Sequence, residues 1–552
     1  MSAIAPSASM PPPLSAGTAR QTRITILLAC TGVFAAYLPV VGVAVALPVI
    51  QQALDASTAE LQWVTDAFIL PTAALLLTFG VLGELRGRKK VCLAGLVLFC
   101  VGCLVCLTAP GVVLVCVGQA LTGIGAAALL PSTLALISHV CPDHRSRARA
   151  ITLWTASLGL GLALGPIING VVVEHLSWRW IFLPSLVIGV IAAVAGGLLI
   201  EESRSSREPH LDVPGQILAA VAITAAVYGV IEGGSTGWAS AQAVVSLLVS
   251  AAAFAAFVAV ELRSPFPMLD MGLFRSRAFS GAAFVMAVTL FAQVGLVFAL
   301  SEYFGLVHRA STLDIGVRLL ALNGVTVALA PLVGRLINRT GPGFLLFAGL
   351  VVGGAGALCV CFFHASTGTG TAALVIAVLG VGIALALAPV TTIAMNSVPR
   401  PIAGTAGAAN SALRQIGSAL GPAVFGAVLT DRTVAALPGH LAASGLSPAD
   451  QGRVGGVVSR IGIQAGAFLR LDTAAATGRA VTAYGAGFTD ALHVCALVSG
   501  VGLLVAAAVA LLTIGLRGRA PQEKPEPAAA AGGAAVSRTG PVRSAPDQPG
   551  SM

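Results

Sequence analysis

Charged side chains are scarce in this chain, which excludes most classes of soluble protein. Only 10% of its 552 residues are charged and 57% are hydrophobic, whereas a soluble domain carries about 25% charged residues. A water-facing surface cannot be built from this composition, so most of the surface must face lipid. Aromatic residues are also few, at 5%, and the 64 glycines are spread through apolar runs, as is usual in membrane helices.

Signatures of catalysis and of metal or cofactor binding are missing as well. Nine of the ten cysteines lie in apolar runs and Cys141 lies in a short loop, so no disulfide framework is expected. The sequence offers no metal-ligand cluster, phosphate-binding loop or nucleophile constellation. We therefore expect no cofactor, no metal and no catalytic residues, and an enzyme or membrane sensor is the least favoured alternative.

Long apolar runs dominate the sequence instead. A helix of about 20 apolar residues spans a bilayer, where backbone groups must bond internally. Fourteen such runs predict an all-α integral membrane protein with 14 transmembrane helices. The runs cover 24–50, 62–82, 91–109, 111–138, 150–174, 178–200, 213–233, 239–262, 279–304, 315–337, 343–364, 371–397, 401–429 and 484–516.

Basic residues are distributed unequally between the two sides of the predicted membrane protein. With the N-terminus in the cytoplasm, 22 of the 31 basic residues fall in cytoplasmic segments, and Arg179, Arg309 and Arg318 are assigned to short external loops. Cytoplasmic loops carry such an excess in membrane proteins. The net charge of +9 is therefore topological, and we expect cytoplasmic N- and C-termini and no binding to nucleic acid.

The segment after the second run combines glycines and charges: Gly80, Glu84, Gly87, Arg88 and Lys89. Glycine permits a tight turn, and a carboxylate at a helix end can pair with arginine or cap a neighbouring helix. The segment resembles the signature loop of major facilitator superfamily transporters, with Glu84 in place of the usual Asp. The resemblance implies a latch at the inner gate, and a simple excess of positive charge is the alternative.

The fifth run presents small residues on one helix face, including Gly161, Gly165 and Gly170, together with Pro166. Such a face allows close helix packing, and proline allows a bend. The run resembles the antiporter motif of the same superfamily, which is associated with export, with Asn169 in place of a glycine. Incidental packing is the alternative.

Three further strings resemble the 14-span drug:proton antiporter family within that superfamily. They are WVTD at 63–66, WRWIF at 178–182 and RQIG at 414–417. Fourteen spans also fit this family better than the twelve that are common in the superfamily. The resemblance covers roughly residues 24–430 and the last span.

Asp66 is the one carboxylate that we place well inside an apolar run. A charge there is costly, so such residues usually face a cavity and have a function. A carboxylate that holds either a proton or a cationic substrate, but not both, gives exchange. Proton coupling through Asp66 is therefore expected, and a structural hydrogen bond near the outer end of the span is the alternative.

Two departures from the family keep the coupling mechanism open. Pro39 replaces the aspartate of the first span, and Gln119 replaces an arginine of the fourth span that is linked to proton transfer in the family. Arg414 is the basic residue placed deep in a span, where it can hold a substrate oxygen or serve the structure. The candidates for a substrate cavity are Trp154, Gln119, Asn323 and Arg414.

The resemblance implies two six-helix bundles with an extra central helix pair, and alternating access to a midplane cavity. We expect a monomeric exporter of a drug-like or natural-product molecule in a bacterial inner membrane, working in exchange for protons. An uncoupled or differently coupled carrier, including one for metabolite uptake, is the alternative. The expected regions are a cytoplasmic tail (1–23), a first bundle (24–200), the extra pair (201–278), a second bundle (279–516, with an external loop at 430–483) and a disordered cytoplasmic tail (517–552).

Overall fold

The computed structural model describes residues 16–141, 144–203, 212–264, 267, 269, 271–398 and 403–516. Within these ranges the regular structure is helical and contains no strand. The α-helices are α1 (Ala16–Leu54), α2 (Thr58–Arg86), α3 (Arg88–Thr108), α4 (Val112–Val140), α5 (His144–His175), α6 (Leu183–Leu199), α7 (Val213–Thr236), α8 (Ala241–Glu261), α9 (Arg277–Glu302), α10 (Thr312–Thr340), α11 (Pro342–Cys359), α12 (Thr369–Asn396), α13 (Ala403–Ala443), α14 (Pro448–Ile461), α15 (Ala465–Phe468) and α16 (Ala474–Thr513).

The number of membrane-spanning helices agrees with the sequence. Thirteen helices are long and apolar enough to cross a bilayer, and α2 makes a fourteenth when its two bent halves count as one span. This confirms the expected all-α membrane architecture. α1–α6 pack together as one bundle, and α9–α13 pack with α16 as a second. α7 and α8 form a hairpin beside them.

Several helices extend beyond the predicted apolar runs. Within the segment 430–483, α13 continues to Ala443 and α16 begins at Ala474, with α14 and α15 between them. The external position of this segment stays a prediction. Arg318 lies inside α10 rather than in an external loop. Residues 1–15 of the predicted N-terminal tail and the whole predicted tail 517–552 lie outside the described residues.

Local sequence signals explain where the key helices begin. Ser57 and Glu60 form a reciprocal capping box at the start of α2, which satisfies two backbone N–H groups that have no partner within the helix. Ser276 and Ser311 cap α9 and α10 in the simpler way. Gly87 separates α2 from α3 with a φ of 110°, a backbone conformation that side chains disfavour.

α2 is bent by 53° between its segments Ala59–Leu76 and Thr78–Arg86. The side-chain amide of Gln216, from α7, contacts the carbonyl oxygen of Ala74 and the hydroxyl of Thr78 at this bend. A side chain that inserts into the hydrogen-bond ladder of a helix is a recognised cause of a kink. The extra hairpin therefore contacts α2 at the point where α2 changes direction.

Candidate functional site

The two bundles contact each other along a seam. Three helix pairs form this seam, and we call each pair a limb: α1 with α9, α5 with α10, and α2 with α13. We call the end of the bundles where α1 passes into α2 the distal end. There Ser301 Oγ donates a hydrogen bond of 2.5 Å to the carbonyl of Ala44, and Gly305 packs against Pro48. The seam is thus closed at the distal end.

The predicted antiporter motif packs α5 against α1. A Cβ atom at Gly161 would lie 2.9 Å from the carbonyl oxygen of Phe34, so the close approach requires glycine. Asn169 of α5 also binds α1: its Nδ2 donates a hydrogen bond of 3.0 Å to the carbonyl of Leu38. The Asn169 side chain occupies the space beside Gly42. Asn169, which departs from the family pattern, therefore makes a specific contact between α5 and α1.

The same motif also reaches the second bundle. A Cβ atom at Gly316 of α10 would lie 2.5 Å from the carbonyl oxygen of Pro166, and one at Gly170 would lie 2.8 Å from Leu313 Cα. Gly165 is buried beside Pro166. In lipid no hydrophobic driving force brings helices together, so their association depends on close packing, which small residues allow. The motif thus forms part of the α5–α10 limb of the seam.

Asp66 lies on the α2–α13 limb. It has no solvent exposure, and neither of its carboxylate oxygens has a hydrogen-bond partner among the described residues. Gln62, one helical turn earlier on the same face, fills the space beside Gly426 of α13. Asp66 therefore lies on the face of α2 that meets the second bundle, where an unpartnered ionised carboxylate would be costly.

The predicted gating loop is held by a carboxylate that the sequence did not single out. Glu202, just after α6, accepts a hydrogen bond of 3.0 Å from the Lys89 backbone N–H, and its carboxylate lies where a Cβ of Gly87 would stand. Lys89 Nζ donates a hydrogen bond of 2.8 Å to the Gly197 carbonyl. An acidic group at a helix N-terminus is favourable, so Glu202 stabilises the start of α3.

In the part of the chain that the structure describes, Glu84 makes no ion pair with Arg88 or Lys89. The Arg88 backbone N–H donates a hydrogen bond of 3.0 Å to the Ser203 carbonyl. Glu84 and Gly80 are half-buried on the last turns of α2. Among the described residues, the carboxylate at the start of α3 is that of Glu202. The role of Glu84, Arg88 and Lys89 as a latch stays a prediction.

The structure does not bring the four predicted cavity residues into one cluster of contacts. Trp154 Nε1 donates a hydrogen bond of 3.0 Å to Thr133 of α4, and Gln119 Nε2 donates one of 3.2 Å to the Val64 carbonyl of α2. Both side chains thus bind within the first bundle. Asn323 is buried on α10 and Arg414 is half-buried on α13, two helices of the seam. Their role in a cavity stays a prediction.

Sequence reasoning missed two ionisable residues at the distal end of the second bundle. Glu302, the last residue of α9, has no solvent exposure and precedes a π-helical turn at Tyr303–Val307. The signal for it was its place near the end of the apolar run 279–304. Asp66 is therefore not the only fully buried carboxylate among the described helices.

Arg318 is the second of these residues. Its guanidinium carbon lies 4.8 Å from the ring centroid of Phe304, and its Nε and Nη1 are buried without hydrogen-bond partners among the described residues. Burial first, and then the charge of Arg318, lower the pKa of His308, which follows the π-helical turn. Its position inside the predicted run 315–337 could have marked it as a residue within a span.

Two helical bundles that meet along a seam, with a buried carboxylate in it, are the architecture of secondary transporters. The family model of the Major Facilitator Superfamily matches residues 29–422. The chain belongs to this superfamily, as the signature loop and the antiporter motif predicted. The protein is a multi-pass membrane transporter and not an enzyme.

Several similar proteins are bacterial resistance and export proteins. The chain is 34% identical over 422 residues to the multidrug resistance protein Stp of Mycobacterium tuberculosis, covering 76% of this chain and 78% of that protein. It is 31% identical over 526 residues to the tetracenomycin C resistance and export protein of Streptomyces glaucescens, covering 92% and 95%. It is 32% identical over 409 residues to the methylenomycin A resistance protein of Streptomyces coelicolor, covering 74% and 85%.

The fold is shared with a solved structure of lower sequence identity. This is the crystal structure of a bacterial homologue of the human lysosomal transporter Spinster, in an inward-facing and unoccupied conformation. The TM-score is 0.62 at 16% identity, and the match covers 91% of this chain and 98% of that one.

Proposed function

We propose that this transporter exports a drug-like or natural-product small molecule across a bacterial cell membrane in exchange for protons, with Asp66 as the proton-binding group. The single observation that carries the proposal is the full burial of the Asp66 carboxylate on the α2–α13 limb of the seam. The names of the relatives support export of antibiotics.

The asymmetry of basic residues supports an orientation with the N-terminus and the C-terminus in the cytoplasm. With this orientation the distal end, where Ser301 contacts Ala44, faces outward. Substrate enters from the cytoplasmic side and binds between the bundles. The transporter acts as a monomer, because each chain contains both bundles and the whole seam.

The proton and the substrate compete in this cycle through the charge of one carboxylate. Asp66 receives a proton when the distal end opens to the outside, and it releases the proton to the cytoplasm in the inward-open state. Glu84, Arg88 and Lys89 form the inner latch when the bundles close on the cytoplasmic side. A carboxylate that must change its charge in each cycle has to be reachable from both sides in turn.

Everted membrane vesicles that contain the full chain test this proposal. An acid interior is imposed, and the accumulation of a panel of fluorescent dyes and antibiotics is followed with and without a protonophore. A pH-sensitive dye in the lumen reports whether substrate addition removes protons. We expect uptake to require the gradient and to be lost in Asp66→Asn, which keeps the side-chain size but cannot exchange a proton.

Asp431→Asn is the matched control. It makes the same chemical change at a carboxylate of α13 that is exposed to solvent, with 57% side-chain exposure, and its transport should equal that of the wild type. The proton-exchange proposal would be refuted if uptake were the same with and without the gradient and were unimpaired in Asp66→Asn. The protein would then be an uncoupled or differently coupled carrier. Accumulation only in right-side-out vesicles would indicate uptake into the cell instead.

A further inference from the structure

α7 lies across the α2–α13 limb of the seam and contacts both helices. Toward the N-terminal end of α7, Gln216 contacts Ala74 and Thr78 of α2. Toward the distal end, the ring of Tyr228 lies 6.1 Å from the ring of Trp63. The hairpin of α7 and α8 is therefore packed against α2 at two depths.

The distal end of α7 also reaches the second bundle. Gly234 packs against Ala427 of α13, with no room for a Cβ atom. The distance along α7 from Gln216 to Gly234 is about 27 Å at 1.5 Å per residue. The apolar core of a bilayer is about 30 Å thick. α7 thus lies beside the α2–α13 limb over a length close to the thickness of the apolar core.

Asp66 lies within the stretch of α2 that α7 covers. Trp63, which contacts Tyr228, is three residues before it, and Ala74, which contacts Gln216, is eight residues after it. Asp66 and its neighbour Gln62 are both buried. A carboxylate at this depth is costly if lipid reaches it, and it conducts protons if water reaches it from both sides.

Alternating access makes this limb hard to keep closed by direct packing alone. α2 and α13 belong to bundles that move relative to each other, so their mutual contact must change during the cycle. A third helix that touches both can cover the edge of the limb in more than one state. Steric cover of this kind requires only that α7 stay against α2 and reach α13.

We propose that α7 is a positioning element that seals the lipid-facing edge of the α2–α13 limb, so that protons reach Asp66 only through the central cavity. Gln216, Tyr228 and Gly234 hold α7 in this place and touch neither substrate nor proton. This inference rests on the proposed proton exchange at Asp66. It assigns a role in coupling to the extra helix pair.

The test uses the purified full chain in proteoliposomes and a wedge at one face of α7. Gly234→Leu forces α7 away from Ala427, because a Cβ atom there would overlap the Ala427 side chain. Gly229→Leu is the control: it makes the same substitution in the same helix, but Gly229 packs against Leu247 and the Ala243 carbonyl of α8. The added side chain there separates α7 from α8 and not from α13. Three quantities are measured: the proton leak without substrate, the number of protons moved per substrate, and the KM for a transported dye.

For Gly234→Leu we expect the proton leak to rise about tenfold, which corresponds to a modest lowering of the barrier. The number of protons used per substrate should rise with it, while the KM changes little. Gly229→Leu should match the wild type. Adding Asp66→Asn to Gly234→Leu should abolish the extra leak, because the leaking proton passes through Asp66.

A second measurement does not depend on proton coupling. A lipid-soluble aryl diazirine is photolysed in the membrane, and labelled peptides are identified by mass spectrometry. The α2 segment 59–76 should gain label in Gly234→Leu and not in Gly229→Leu. An unchanged leak, a leak that survives Asp66→Asn, or unchanged labelling of α2 would each overturn the inference. Absence of substrate-driven proton movement in the wild type would instead overturn the proposed function. The labelling experiment would still test whether α7 covers α2.

Discussion

The contact between Gly316 and Pro166 should decide how tightly the distal end closes. A Cβ atom at Gly316 would lie 2.5 Å from the Pro166 carbonyl oxygen, whereas a carbon and an oxygen in contact stay about 3.3 Å apart or more. In Gly316→Ala the seam must therefore widen by about 0.8 Å. Overpacking of this kind costs about 1–3 kcal/mol. The two residues belong to different bundles, so the cost applies only while the distal end is closed.

An energy difference of 1–3 kcal/mol shifts a two-state equilibrium by about 5- to 150-fold. We therefore expect Gly316→Ala to populate the state with an open distal end. Hydrogen-exchange mass spectrometry would detect this as faster exchange of backbone amides in segments 166–175 and 309–318. The gain in helix propensity from glycine to alanine, about 1 kcal/mol, is common to both states and cancels.

Gly334→Ala is the matched control, because it makes the same change in α10 at a place with nothing within 4 Å of the added Cβ. It should leave exchange at the distal end unchanged. Equal protection of the two segments in Gly316→Ala and wild type would refute the reasoning, since the seam would then absorb the added methyl group without opening. Equal deprotection in both variants would refute it as well, because the cause would be the loss of glycine in α10 and not the contact.

Two further predictions concern contacts within the first bundle. Asn169→Ala should lower the free energy of unfolding by about 1–2 kcal/mol, since it removes the buried hydrogen bond to Leu38. In thermal unfolding of the purified variants, Gly42→Ala should destabilise the wild type but be nearly neutral when combined with Asn169→Ala. Equal effects of Gly42→Ala in both backgrounds would contradict the contact. Glu202→Gln should cost about 0.3–1 kcal/mol by removing the negative charge at the start of α3, with the exposed Glu201→Gln as control; equal melting temperatures for the two variants would count against the cap.

Much of the architecture could be predicted from the sequence, because membrane-spanning helices are recognised by their length and apolarity. The helical class and the count of up to fourteen spans followed from the apolar runs. The signature loop and the motif around Pro166 carried the resemblance to the major facilitator superfamily, which the family model then confirmed. The helix ends within 430–483 could not be read from the apolar runs, because Ala-rich polar segments can continue a helix beyond its apolar part.

The candidate site was less predictable. Asp66 could be found because an acidic residue within an apolar run is rare. Glu202 could not, because its role comes from lying at the start of α3, more than 100 residues earlier in the chain. Arg318 was placed in a loop because a charge near the end of a run does not reveal whether the helix has already begun.

The sequence by itself determined the class of this protein: too few charges for a soluble fold, enough apolar runs for fourteen spans, and the glycine and proline motifs of a transporter family. Only the tertiary structure decided which surfaces meet. It placed Asp66 on a limb of the seam, Pro166 against Gly316, and α7 across the limb that contains Asp66. The physical reason is that hydrophobicity selects helices one at a time, whereas contacts between helices depend on small steric details that are distant in sequence.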